Sequence, residues 1–117
     1  MENKSRSRLN GMLGFAMRAG KVVIGTDLVC TSMASKGKSH ARLVLLAKTA
    51  SEGTKKKITF KSEFYGVETR IIDMEGSELG RLLGKLYAPA VVAITDDRFA
   101  VEIRKALDSD GDSEIQQ

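Results

Sequence analysis

The segment Leu43-Val44-Leu45-Leu46-Ala47 has no polar alternation. A strand with one face in water alternates apolar and polar residues, so an unbroken run of this kind reads as a strand covered on both faces. Such a strand needs one layer above it and another below. Strand-like segments begin near residues 43, 69 and 90, spaced 26 and 21 residues apart, with one helical segment in each gap. That alternation predicts an α/β chain, a three-layer α/β/α sandwich around a mixed four-stranded sheet.

Local spacing supplies the remaining elements. Leu9, Met12, Leu13, Ala16 and Met17 recur at helical intervals, and Gly20 follows as a C-terminal cap. Residues 21–24 read as a short strand. A second helix begins at Gly25-Thr26, with Leu28, Val29 and Met33 on one face, and Lys36-Gly37 closes it. Ser51 or Thr54 caps a third helix running to about Tyr65, and residues 69–73 form a strand. Ser77 is expected to cap a helix over residues 78–84, residues 90–95 form the last strand, and Asp96 or Asp97 caps the final helix. Residues 108–117 lack apolar periodicity and read as an acidic, disordered tail behind a domain of residues 1–107.

Composition narrows the class of molecule. A chain of 117 residues is one domain, and 42% hydrophobic residues suffice for a core without metal or disulfide. The one cysteine, Cys30, has no partner for an internal bridge. The apolar runs at residues 43–47 and 88–94 are far shorter than the roughly 20 residues that span a bilayer. No signal peptide can be read at the N-terminus, so the expectation is a soluble, cytoplasmic protein with no membrane contact.

The net charge of +4 conceals an asymmetry. Residues 1–61 hold 13 Lys and Arg against 3 acids, a balance of +10, whereas residues 62–117 hold 6 against 12, a balance of −6. A basic half of this kind suggests a polyanionic partner, with a solvated surface of scattered lysines as the plainer alternative.

Catalytic chemistry finds little footing. His40, the one histidine, falls in a loop, and Cys30 falls in a helix beside Val29 and Met33. Gly37-Lys38-Ser39 has the last letters of a phosphate loop, but Ser32 stands where that loop requires glycine, and a helix rather than a strand precedes it. Asp96-Asp97 is better explained by capping than by a metal. No nucleophile, base and orienting group can be assembled, and no cofactor is implied.

Nucleic-acid binding is better supported. Base stacking on a sheet is disfavoured as the mode, because none of the expected strands contains Phe, Tyr or Trp. There remain basic surface, helix starts and loops. Gly25-Thr26 opens a helix whose unpaired N–H groups favour an anion, although the same residues also make an ordinary strand-to-helix turn. Lys55-Lys56-Lys57 stands at or just after a first helical turn, where cations oppose the helix dipole unless phosphates face them; a solvated charge run is the other reading. Gly80 and Gly84, four apart, permit close backbone approach. Leu86, Tyr87, Ala88 and Pro89 give the following loop more apolar surface than a loop ordinarily carries.

Taken together, these residues resemble the L-seven-Ae family of ribosomal proteins, and its small bacterial paralogues in particular. The resemblance covers residues 9–107. It is carried by Arg18-Ala19-Gly20-Lys21-Val22-Val23-Ile24-Gly25-Thr26, by Ala41-Arg42-Leu43-Val44-Leu45-Leu46-Ala47, and by Ala50-Ser51 ahead of Thr54-Lys55-Lys56-Lys57. Ser77-Glu78-Leu79-Gly80-Arg81-Leu82-Leu83-Gly84-Lys85 and Val92-Ala93-Ile94-Thr95-Asp96 complete it.

The resemblance implies an α/β/α sandwich that binds kink-turn RNA, a bent stem with a bulge beside sheared G·A pairs. The implied binding surface is the start of the helix after Gly25 together with the loop after Gly84. Typical members have Asn-Glu, which read guanine edges, where this chain has Asp27 and Leu28, and a lysine supporting the backbone where it has Thr31. Lys55, Lys85 and Pro89 match the rim of that surface.

The expectation is therefore a non-enzymatic, monomeric RNA-binding protein, ribosomal or ribosome-associated. Lys21, Lys55, Lys56 and Lys85 would neutralise phosphates, Gly25, Thr26 and Asp27 would enter the groove, and residues 86–89 would pack on the bulge. The rivals are a protein-interaction module on the same fold and, with less support, an enzyme or its substrate-binding subunit.

Overall fold

The five residues of β2, Leu43–Ala47, are all buried, and the arrangement around them explains why. A computed structural model describes residues 4–115 of the chain. Within them the order is α1 (Lys4–Arg18), β1 (Val22–Ile24), α2 (Thr26–Ala34), β2, α3 (Glu52–Tyr65), β3 (Glu68–Ile72), α4 (Gly76–Leu82), β4 (Val91–Ile94) and α5 (Asp97–Ile115). A short 3-10 turn, Gly37–Ser39, lies between α2 and β2. The strands form one mixed sheet in the order β1-β4-β2-β3. β2 runs parallel to β3 and antiparallel to β4, and β4 runs antiparallel to β1.

β2 and β4 are thus the interior strands, and their side chains divide between two cores. Leu43, Leu45 and Ala47 join Val92 and Ile94 under α1, α4 and α5. Val44 and Leu46 join Val91 and Ala93 under α2 and α3, where Val29, Met33 and Ile58 complete the packing. Each alternate residue faces an apolar layer, which is why the strand carries no polar positions. The expected sandwich and mixed sheet are both present.

Several helix ends follow the local chemistry. Gly20 leaves α1 with φ 73°. The Ser51 hydroxyl accepts from the Thr54 N–H at 3.1 Å, and Gly66 closes α3 in the left-handed region. The Asp96 carboxylate accepts from the N–H groups of Arg98 and Phe99 at 2.8 and 3.2 Å. β3 begins at Glu68, one residue ahead of expectation.

α4 departs further from its expected form. It begins at Gly76 rather than after Ser77, and Glu75, in the cap position, makes no side-chain capping bond. The Gly76 N–H donates instead to the Thr49 hydroxyl at 2.9 Å, a partner 27 residues away that no local pattern reveals. The expected close-approach face of Gly80 and Gly84 is also displaced. The paired glycines are Gly76 and Gly80, whereas Gly84 lies beyond the helix at φ 75°, with open space about it.

The free edge of the sheet is held by charge. Glu68 accepts from Arg104 at 2.6 Å and from Arg70 at 3.0 Å, and Arg70 also donates to Asp108 at 2.8 Å. α5 continues through Ile115, past the expected domain boundary at residue 107, so the acidic segment starts as an extension of this helix. Among the described residues, no helix is long and apolar enough to cross a membrane.

Candidate functional site

The turn from β1 into α2 depends on one glycine. Gly25 has φ 105° and ψ 151°, a backbone conformation that residues with a Cβ rarely adopt. Its N–H donates to the Val91 carbonyl at 3.0 Å, which fixes the turn to the start of β4. A Cβ at this position would meet no atom within 4 Å, so the restriction comes from the backbone and not from space. No side chain caps α2, and its first-turn N–H groups therefore face outward. Asp27 lies in that turn, with its carboxylate 3.8 Å from the Lys57 ammonium of α3.

The loop between α4 and β4 is positioned from below. Residues 87–89 run back across the face of Gly76 and Gly80, where the helix has no side chains to hold them off. The Tyr87 carbonyl lies against the position that a Cβ of residue 80 would occupy. The Lys85 N–H donates to the Gly80 carbonyl at 2.8 Å, which closes the helix end. Pro89 is buried and acts as an anchor, whereas Leu86 is fully exposed and Tyr87 and Ala88 face solvent.

These two parts meet at one cleft of about 520 Å³, floored by β1. Leu28 and Thr31 of α2 line one side and Lys85 and Tyr87 another, with Ser35 and Ser39 at the margin. Its lining contains apolar side chains, hydroxyls and a single ammonium, and no carboxylate. An aromatic ring or an unstacked base would find apolar walls there, with donors at the rim. Leu28 is 61% exposed, so this position faces the cleft and solvent and does not belong to the core.

The other expected residues are dispersed. Lys21 lines a separate cleft of about 400 Å³ with Lys38, Arg42 and Arg98, where Asp96 and Asp97 offset part of the positive charge. Lys55 pairs with Glu52 at 3.7 Å, and it and Lys56 border a shallow groove along α3. Thr26 and Gly25 lie at the start of α2 as expected, and neither lines the cleft. Met17 of α1 and Val22, Val23 and Ile24 of β1 also form the cleft wall; the strand residues escape sequence reading because an edge strand at a cleft reads like any other apolar strand. Lys57, third in the lysine run with Lys55 and Lys56, meets Asp27 in a contact that joins two helices.

The residues set aside as catalytic candidates have structural partners. His40 Nδ1 lies 2.9 Å from the Ser35 carbonyl, which can only accept, so this nitrogen carries the proton. Cys30 is half-buried against the second core. The Asp96 carboxyl is held below its ordinary range, first by the Phe99 N–H and then by that of Arg98. Asp97 accepts from Arg42 at 3.0 Å. Among the described residues, no three His, Cys, Asp or Glu side chains are grouped as metal ligands would be.

Comparison with known proteins places this architecture. Residues 7–104 match the sequence model of the ribosomal protein L7Ae/L30e/S12e/Gadd45 family. The RNA-binding protein YlxQ of Bacillus subtilis (strain 168) is 42% identical over 97 residues, covering 83% of this chain and 92% of that protein. The RNA-binding protein YlxQ of Enterococcus faecium is 32% identical over 108 residues, covering 92% and 99%. A solved structure of a protein of unknown function from Bacillus halodurans C superposes with a TM-score of 0.77 at 26% identity, over 86% of this chain and 97% of its own. The Giardia lamblia 15.5kD RNA binding protein shares the fold, with a TM-score of 0.71 at 14% identity over 93% of this chain and 89% of its own.

Proposed function

This chain belongs to the ribosomal protein L7Ae/L30e/S12e/Gadd45 family, and from that premise we propose that it is a non-enzymatic RNA-binding protein whose contact surface is the cleft between α2 and the α4–β4 loop. The observation that carries this reading is the cleft itself, where Leu28, Thr31, Lys85 and Tyr87 come together from distant parts of the chain. The names of the two curated relatives point the same way. The +10 balance of residues 1–61 supplies a sequence-independent attraction for phosphates.

The ligand is a structured RNA with a bend or bulge. An unstacked base from the bulge enters between Tyr87 and Leu28, while Leu86 and Ala88 pack outside it. The N–H groups at the start of α2 take a phosphate, and Lys85 takes a second. Gly25 and Thr26 bring α2 close to the groove, and Pro89 holds the loop in place. Asp27, Leu28 and Thr31 offer few hydrogen bonds to base edges, so preference for a kink-turn over a plain duplex is modest. The protein acts as a cytoplasmic monomer, on the ribosome or on RNA of similar structure.

Fluorescence anisotropy on a labelled kink-turn hairpin, a singly bulged hairpin and a plain duplex tests this reading. Binding that favours the two deformed RNAs and weakens with Tyr87→Ala is expected. Equal, weak binding to all three with no effect of Tyr87→Ala would leave a protein-interaction module as the better description.

A further inference from the structure

The solvent face of α3 carries a pattern that the cleft does not use. α3 buries Ile58 and Ser62. Phe60 and Phe64 each lie two residues further on, about 200° around the helix, and are 68% and 74% exposed. The two rings stand one turn apart, about 6 Å along the axis at 1.5 Å per residue. Tyr65 meets Phe64 edge to face, with 4.8 Å between ring centroids, and widens the surface.

Lysines interleave with these rings. Lys56 precedes Phe60 by four residues, and Lys57 and Lys61 form the adjoining row that leads to Tyr65. Lys55 faces Glu52 and Lys57 faces Asp27, but among the described residues neither Lys56 nor Lys61 has an ion-pair partner. The face adjoins the start of α2, because the Asp27–Lys57 contact of 3.8 Å joins the two helices.

Exposed rings in a row mark a contact surface, and the groove beside them sets two ammonium groups, Lys55 and Lys56, against the Glu63 carboxylate, a balance that Lys61 tips further toward an anionic occupant. A purely apolar protein partner would strip water from Lys56 and Lys61 without replacing it. A single nucleic-acid strand offers both required chemistries, with phosphates for the lysines and base faces for the rings. We propose that the α3 face, Phe60 and Phe64 flanked by Lys56 and Lys61, holds a single-stranded RNA segment that continues from the structured element bound at the cleft. The proposal rests on the RNA-binding reading above and adds a second ligand class to it.

The test compares two labelled probes, a bulged hairpin with a blunt end and the same hairpin carrying a single-stranded uridine extension of about ten nucleotides, within the site sizes of such surfaces. The parent protein should bind the extended probe tighter by roughly tenfold or more, the worth of one or two stacked bases. Phe60→Ala/Phe64→Ala should abolish that gain while leaving affinity for the blunt hairpin and the melting temperature unchanged. Lys61→Ala should flatten the salt slope for the extended probe by about 0.7, the value for one single-strand phosphate contact.

A gain that survives in the double phenylalanine variant overturns the proposal. If that variant also sediments at half the parent's mass, the face is an interface between copies. An extension that adds nothing to a well-bound hairpin overturns the proposal but leaves the cleft reading standing. Failure of the parent to bind either probe removes both.

Discussion

The Tyr87 carbonyl oxygen lies against Gly80 where any other residue would place its Cβ, and the Pro89 ring stands 3.1 Å from the same point. The α4–β4 loop is therefore seated on a helix face that must remain bare. Because Tyr87 also lines the cleft, the glycine acts on the site through the backbone it admits.

Gly80→Ala should cost about 1–3 kcal/mol, the usual range for overpacking a closed site. It should also move the loop and weaken RNA binding. Gly11→Ala provides the contrast, since a Cβ there meets nothing within 4 Å on an exposed position of α1. That change should stabilise the domain by roughly 0.5–1 kcal/mol and leave binding untouched. Chemical denaturation and anisotropy on both variants check the pair; equal effects would show that the loop does not depend on the bare face.

Acid sensitivity should arise at the edge of the sheet. Burial opposes the charge on Glu68, but hydrogen bonds from Arg104 and Arg70 outweigh it and hold the carboxyl below its ordinary value. A carboxyl with a lowered folded pKa contributes stability above its unfolded pKa, and the contribution is lost as pH falls through the folded value. The melting temperature should therefore hold from neutrality down to about pH 5 and decline below roughly pH 4.3, the unperturbed glutamate value. Arg104→Ala should lower it at neutral pH, and its gap from the parent should narrow as pH falls through the folded value of Glu68. A constant gap across that window would mean that the ion pairs contribute nothing.

Lys55, Lys56 and Lys57 can be tested together. Two of them have carboxylate partners at 3.7 and 3.8 Å, but Glu52 and Asp27 are both highly exposed, and such surface pairs are worth little. The lysines thus remain available to phosphates. Changing all three to Ala should weaken RNA binding and flatten the slope of log K against log salt by up to roughly 2–3 units. An unchanged slope would make them a solvated run.

Much of the fold was legible because its strongest signals are local. The apolar run of β2, the Ser51 and Asp96 caps and the glycine at 20 each act within a few residues. α4 was misplaced because its first N–H is satisfied by Thr49, a contact formed only after the chain has folded. The site was half legible for the same reason. Gly25 and the residue 85–89 loop show in the sequence as a glycine before a helix and an apolar loop. Lys21 belongs to a different cleft, which depends on which end of an antiparallel strand pair a residue occupies. The exposure of Phe60 and Phe64 did carry a signal: they are out of phase with Ile58, the apolar residue that α3 buries.

The sharpest prediction concerns three positions on α2. The family resemblance implies that Asp27 and Leu28 stand where kink-turn readers carry Asn and Glu, and that Thr31 stands where they carry Lys. Leu28 is exposed at the cleft, so Leu28→Glu places a carboxylate toward the ligand without entering the core. Asp27→Asn loses a weak pairing with Lys57 but acquires a donor, and Thr31→Lys adds a cation at the cleft margin. The triple variant should keep the parent's melting temperature within a few degrees, because Asp27, Leu28 and Thr31 are all exposed. Its preference for a kink-turn over a plain duplex should rise by about 1–3 kcal/mol for each base edge newly read, or roughly five- to 150-fold for one such edge. Leu28→Glu alone should supply most of the increase, since a guanine can donate to its carboxylate while leucine offers no acceptor. Anisotropy titrations on the two RNAs at one fixed salt concentration measure the ratio directly, and the fixed salt keeps the charge introduced by Thr31→Lys from counting as selectivity. A folded triple variant whose ratio matches the parent's would show that α2 meets a different RNA feature, and the cleft would then recognise shape through Tyr87 and Leu86 rather than base edges.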